Sequence, residues 1–363
     1  MNNKIIMGVI MKNSKKILSV LLILLLMFAS VLTGCSKKTT DVIHFGITMG
    51  PGSIRTAIVI LADKLGYFAE EGVKVDFTEV ADAASALTSL SLGKGDLDIW
   101  GTGIVPDLTF ITNGSDLVIF EGTAAEGGAI ISLPENVEKY KDLTNFEKKT
   151  VAMVRNQTSW VVTRELMRES GIDVNSINLK YVDSQINVAQ AVAKGEADIG
   201  FLPVEFANQF RPEGIELVRE VGELVPNYVC CRQITSRKTF ESKRDALVKF
   251  SKANIRAWNY FENPANRENV INLLSEFSGQ QGSYINQYFF VNHTLLTLDP
   301  NTKGIKNFYT AMINSDYFTG KTPVEIENHI DSSIYKEALD AVAAKYPNEE
   351  FYQTALKNFE IYN

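Results

Sequence analysis

Five short segments carry the side chains best suited to gripping a small polar molecule, and each follows a hydrophobic run that reads as a strand. The first is Met49-Gly50-Pro51-Gly52-Ser53, after Thr48. Gly50 and Gly52 allow close backbone approach and Ser53 suits a helix N-cap, although an ordinary strand-to-helix loop has the same composition. The second is Trp100-Gly101-Thr102-Gly103, where flanking glycines leave the hydroxyl and N–H of Thr102 open. Trp100 either stacks on a ligand or fills the core, as a tryptophan after a buried strand often does. Glu121, before Gly122, either receives a ligand ammonium or is a solvated surface acid. The fourth segment is Arg155-Asn156-Gln157-Thr158-Ser159-Trp160. Thr158 or Ser159 should cap the helix that follows, Arg155 either pairs bidentately with an oxyanion or lies on the surface, and Trp160 is expected to face the ligand. Pro203-Val204-Glu205 is the fifth, and Glu205 carries the same two readings as Glu121.

Catalytic machinery is not legible. His44, His293 and His329 are far apart, without metal-ligand spacing, and His44 sits in a strand pattern. No GxSxG, HExxH or P-loop pattern occurs. The expectation is a protein that is not an enzyme and carries no metal or cofactor. Cys230 and Cys231 are adjacent, and a bridge between neighbours is strained, so two free thiols in a strand are expected.

The elements that must position these loops alternate strand and helix. Val42 to Thr48, Val73 to Glu79, Leu97 to Trp100, Asp116 to Glu121 and Ala129 to Leu133 read as strands, with helices over Ser53 to Gly72 and Asp82 to Leu92. That order implies a parallel sheet with helices on both faces. The pattern restarts at Lys149 to Val154, with a helix over Thr158 to Ser170, a strand over Ile177 to Val182, a helix over Ile186 to Lys194, and short strands over Asp198 to Phe201 and Glu216 to Arg219. Two five-residue turns echo one another: Gly95-Asp96-Leu97-Asp98-Ile99 precedes Pro106, and Gly195-Glu196-Ala197-Asp198-Ile199 precedes Pro203. Two α/β lobes with equivalent turns is the economical reading. Beyond Lys238 the periodicity is helical, over Lys243 to Phe261, Arg267 to Phe277, Tyr284 to Phe290, Lys303 to Met312, Ser333 to Lys345 and Glu349 to Phe359.

The N-terminus reads as an export signal. Lys12, Lys15 and Lys16 precede an uncharged run, Ile17 to Leu32, which is shorter than the ~20 residues a membrane-spanning helix needs. Met11 begins a compact signal of this kind by itself. The ending Leu32-Thr33-Gly34-Cys35 resembles the bacterial lipobox, which implies cleavage before Cys35 and lipidation of its thiol. The signal is then residues 1–35 and residues 36–40 a polar tether. A lipid anchor on the extracytoplasmic face of the cell membrane is the expected location. Without the first 35 residues the chain keeps 32 Lys and Arg against 43 Asp and Glu, a net charge near −11. Phosphate backbones need clustered positive charge, so no nucleic-acid partner is expected.

Leu65-Gly66-Tyr67-Phe68-Ala69-Glu70-Glu71-Gly72-Val73-Lys74-Val75 resembles a signature of the nitrate/sulfonate/taurine group of solute-binding proteins that serve ABC importers. Leu87 to Ile99, Asp142-Leu143 with Lys149-Thr150-Val151, and Ala191 to Pro203 resemble later motifs of that group in the same order, over about residues 41–240. The resemblance implies an α/β, two-lobed periplasmic-binding-protein-like fold (type II), with parallel-rich sheets flanked by helices and a helical C-terminal extension. Lobe 1 would take residues 41–131 and 232–363, and lobe 2 residues 132–231. The chain would cross between them near Ile130–Leu133 and Tyr228–Thr235, with solute in the cleft. The implied partners are a small-molecule solute, the permease subunits of an ABC transporter, and the membrane through the lipid. The implied solute is a sulfonate, a taurine-like compound or a related anion or zwitterion. A thiamine-pyrimidine precursor is the alternative. More remote is an enzyme like the fungal-type thiamine pyrimidine synthases, whose cysteine-rich run is represented here only by Cys230-Cys231.

Overall fold

The computed structural model describes residues 41–48, 55–292 and 294–363, without the side chain of Thr102. The signal, Cys35, the tether, Met49, Ser53 and His293 lie outside the described residues. The chain first lays down β1 (Asp41–Ile47), β2 (Val73–Glu79), β3 (Ile99–Gly103) and β4 (Leu117–Ala125). It continues with β5 (Gly128–Ser132), β6 (Thr150–Met153), β7 (Asn178–Tyr181), β8 (Ile199–Pro203) and β9 (Glu216–Glu220), and returns as β10 (Val229–Ser236). These form two five-stranded sheets of matching plan, β2-β1-β3-β10-β4 and β7-β6-β8-β5-β9.

Each sheet is mixed rather than parallel throughout. β1, β2 and β3 are mutually parallel, as are β6, β7 and β8, while β10 and β5 run antiparallel to their neighbours. The antiparallel strand in each sheet is the one that begins or ends a crossing between lobes. The sheets exchange the chain at residues 126–127 and 221–228, whereas the sequence placed the crossings a few residues later, near Ile130–Leu133 and Tyr228–Thr235. β5 thus belongs wholly to the second sheet and β10 wholly to the first.

The sequence echo has a structural counterpart. Asp98 accepts the His44 N–H at 2.8 Å through its carboxylate and donates its own N–H to the His44 carbonyl at 2.8 Å. Asp198 does the same to Thr150, at 2.9 Å both ways. In each lobe an aspartate therefore ties the start of the third strand to the first. Each carboxylate also meets a lysine, Lys243 at 2.8 Å for Asp98 and Lys149 at 3.7 Å for Asp198.

Local sequence explains where helices break. The run Ser53 to Gly72, expected as one helix, is split into Ala57–Lys64 and Tyr67–Glu71 by Gly66, whose φ of 77° is left-handed. Four helices escaped sequence reading: Ile104–Thr112, with Pro106 tolerated in its first turn, Val137–Tyr140, Val204–Gln209 and Arg237–Ser242. Tyr284 to Phe290 becomes Gly282–Asn286 followed by a wider turn, Gln287–Val291.

One face of the first sheet is covered by C-terminal helices, among them Arg244–Glu262 and Ser333–Lys345, with Phe68, Phe45 and Phe250 stacked at 5.3 and 5.9 Å between centroids. The other face shares a continuous apolar cluster with the second lobe, running from Leu87 and Ile104 through Tyr228 and Met312 to Trp160 and Phe201. Ala129, Ile131 and Val188 belong to a separate cluster on the far side of the second sheet. A core continuous through the crossings keeps the lobes in register while leaving one side of the seam open.

Candidate functional site

The crossings build the seam. β4 ends at Ala125, and the chain turns through Glu126 (φ 58°) and Gly127 (φ 84°) into β5. Glu126 donates its N–H to the Tyr228 carbonyl at 3.1 Å, and Gly128 donates its N–H to the Tyr228 hydroxyl at 2.9 Å. Gly128 has no room for a side chain: a Cβ there would overlap Ser159 and approach the Tyr228 hydroxyl within 2.8 Å. A glycine is required because the crossing strand touches the start of the Thr158–Glu169 helix.

Beside these crossings lies a cavity of about 260 Å³, walled by both lobes. Arg55 and Gly103 reach it from the first lobe, Gln157, Thr158, Ser159, Gln185 and Glu205 from the second, and Tyr228, Cys230 and Cys231 from the returning chain. Across the seam the Arg55 guanidinium stands 3.4 Å from a Glu205 carboxylate oxygen. The Arg55 side chain is 42% exposed and that of Glu205 is 8% exposed, so solvent screens the pair from the Arg55 side only. Glu205 is only 9% exposed; burial raises its pKa and Arg55 opposes that shift. A second link joins the lobes nearby, where Asn208 donates to Asn292 at 2.9 Å.

The Thr158–Glu169 helix meets the cavity with its amino end. Its N-cap residue, Gln157, makes no capping bond to the helix and instead donates its side-chain amide to the Ser159 hydroxyl at 2.8 Å. The first-turn N–H groups of a helix have no intrahelical acceptor and carry partial positive charge. An anion at Thr158 and Ser159 would meet those groups.

Of the residues singled out from sequence, Thr158, Ser159 and Glu205 come together at this cavity. Others point elsewhere. Trp100 is 4% exposed and packs in the core against Leu97 and the backbone of Gly46. Trp160, 1% exposed, makes an edge contact with Phe201 at 5.3 Å, so it faces the core rather than the ligand. Glu121 is fully buried on the opposite side of the first sheet, where Ser251 donates to it at 3.0 Å. Desolvation pushes its carboxyl up to about 8, so it is neither cleft residue nor solvated acid. Arg155 is exposed and lies over the Tyr181 ring at 4.6 Å. Thr102 lies in β3 beside Gly103.

Arg55, missed in the sequence, supplies the cation at the cavity that Arg155 does not. A signal was available. Arg55 lies two residues before the Ala57–Lys64 helix, next to its N-cap Thr56, where the helix dipole disfavours a cation. A residue placed against a local rule marks a functional position. Gln157, Gln185, Tyr228 and Tyr288 were also missed, because nothing in a single sequence separates a cleft amide or phenol from an ordinary one.

Behind the cavity, Arg232 is fully buried, donating to the carbonyls of Pro300 at 2.7 Å, Cys231 at 2.7 Å and Ala124 at 3.1 Å. Desolvation lowers its pKa to about 10, which leaves it charged at neutral pH. Among the described residues no three of His, Cys, Asp and Glu stand together as a metal site, and no helix is long and apolar enough to cross a membrane.

Residues 53–266, more than half of the chain, match the protein family described as NMT1/THI5 like. No match was found among curated proteins. Among solved structures, the aliphatic sulphonate-binding protein SsuA of Escherichia coli aligns with a TM-score of 0.62 at 17% identity, over 80% of this chain and 92% of that one. The nitrate-binding protein NrtA of Synechocystis PCC 6803 aligns with a TM-score of 0.62 at 16% identity, over 84% and 89%. The alkanesulfonate-binding protein SsuA of Xanthomonas axonopodis pv. citri, bound to MOPS, aligns with a TM-score of 0.59 at 15% identity, over 80% and 98%. These likenesses are of fold: two mixed sheets flanked by helices, in the arrangement of periplasmic binding proteins.

Proposed function

The chain belongs to the NMT1/THI5-like family, and from that premise we propose that it is an extracytoplasmic solute-binding protein that delivers a small organic solute to an ABC importer. The solute is an anion or zwitterion, of which a sulfonate or taurine-like compound is the leading class. One observation carries the reading: Arg55 and Glu205 face each other across the seam, next to the uncapped amino end of the Thr158–Glu169 helix. That arrangement offers a guanidinium and helix N–H groups to an oxyanion, and a buried carboxylate to an ammonium. The neighbours of like fold support an oxyanion, being named for sulphonate and nitrate. Lipidation of Cys35 would hold the protein at the membrane beside its permease, the chain's proposed partner.

A thermal-shift screen against alkanesulfonates, taurine, nitrate, bicarbonate, pyrimidine precursors of thiamine and riboflavin identifies the solute. A ligand at 100-fold above its dissociation constant adds about 2.7 kcal/mol of stability. Arg55→Ala should then weaken binding of the identified solute ten- to a hundred-fold, because one charge-assisted bond contributes about 1.5–3 kcal/mol. Arg155→Ala should leave the affinity unchanged. The opposite ranking in calorimetry would remove Arg55 from the site.

A further inference from the structure

Two consecutive cysteines line the cleft wall, and a regular strand would not turn both to one side. Neighbouring side chains of a strand point to opposite faces. β10 breaks that alternation, with register shifts against β4 between Val229 and Cys231 and again between Cys231 and Arg232. The irregularity brings both sulfurs onto the same cavity wall, 3.5 Å apart. Cys230 is half-buried and Cys231 is 3% exposed. A structural cysteine is an inert apolar filler. Cys231 joins the apolar cluster of the first lobe, but Cys230 beside it is half-buried at the cavity wall, with the two sulfurs in contact. The Cys230 S–H bonded to Cys231 favours the Cys231 thiolate, and the guanidinium groups of Arg55 and Arg232 favour it further, while Cys230 is pushed the other way.

We propose that Cys230 and Cys231 form a redox-modification site on the cleft wall, joined into a vicinal disulfide by small-molecule disulfides and parted again by thiols. The Cys231 thiolate attacks one sulfur of the oxidant, breaking its S–S bond, forming a mixed disulfide and releasing one thiolate. Cys230 then loses its proton and attacks the Cys231 sulfur, which expels the second thiolate. The pair gives up two electrons and the one proton that Cys230 carried, and the oxidant is reduced to two thiolates, one of which takes up that proton. Adjacent Cα atoms are ~3.8 Å apart, below the usual ~4.4–6.8 Å of a disulfide. The bridge is consequently strained and readily reduced, as suits a reversible modification rather than a staple. Its formation removes two ionisable thiols from the wall that Arg55 also lines. The site does not depend on which solute the protein carries.

The test uses the purified, reduced full chain, incubated folded with glutathione disulfide, quenched with N-ethylmaleimide and mapped by mass spectrometry. The expected product is a single chain whose peptide containing residues 230 and 231 is lighter by two hydrogens, carries no maleimide, and regains both alkylation sites after dithiothreitol. Cys35 is scored on its own peptide. Cys230→Ser should stop at the first step, with one glutathione per chain on Cys231. Full alkylation of both thiols after oxidant, a glutathione adduct that persists on the wild-type pair, or a bridge between two chains would each overturn the proposal. The wild-type outcome decides the matter by itself should the variant fail to fold.

Discussion

Glu121→Gln is the sharpest test of how the first lobe is built, because the residue's burial makes a quantitative demand. Glu121 is 0% exposed in β4, and desolvation raises its carboxyl from 4.5 to about 8. Between those values the folded state holds a proton that the unfolded state has released. The unfolded chain therefore binds fewer protons, and stability falls as pH rises. The contribution is fully present below pH 4.5, declines by up to 1.36 kcal/mol per pH unit above it, and is lost once pH passes 8. The total loss is about 5 kcal/mol, most of which has occurred by pH 7. Glutamine cannot ionise, and its carbonyl oxygen can still accept from Ser251. The other titrating groups act alike in both proteins. Urea unfolding followed by tryptophan fluorescence from pH 5 to pH 8.5 should show the variant gaining several kcal/mol on the wild type as pH rises. Parallel stability curves would mean that Glu121 is ionised in the fold and that its burial among Ser251 and the C-terminal helices is wrong.

Gly128→Ala should destabilise the protein by about 1–3 kcal/mol and weaken solute binding together, since the added methyl group collides with Ser159 at the cavity wall. Unchanged stability by urea titration would contradict the close approach of crossing strand and helix. Cys35→Ala should abolish incorporation of labelled fatty acid and block signal processing in the producing cells, and labelling that survives the change removes the anchor.

Elements whose order is written in local periodicity were legible, and β2 and the Ser333–Lys345 helix lie where the pattern put them. The internal echo was legible as five residues, and its physical content emerged only with the fold: Asp98 and Asp198 each clamp a first strand to a third. The site was only partly legible, for a directional reason. Sequence places a residue after a strand, but the side-chain direction depends on what packs behind it. Trp100 lies within β3 and Trp160 in the first turn of the Thr158–Glu169 helix, and both turn inward because apolar clusters there have room for an indole. Arg155 and Arg55 both stand in loops before helices. Arg155 finds Tyr181 on the outer edge of its lobe, while Arg55 faces Glu205 across the seam, a neighbour 150 residues away that no local pattern can supply. The same reasoning explains the cysteines. A strand pattern predicts one thiol in and one out, and only the pairing irregularity between β10 and β4 turns both toward the cleft. The candidate site gathers features that local rules do not predict: a cation just before a helix start, and a strand that loses its alternation.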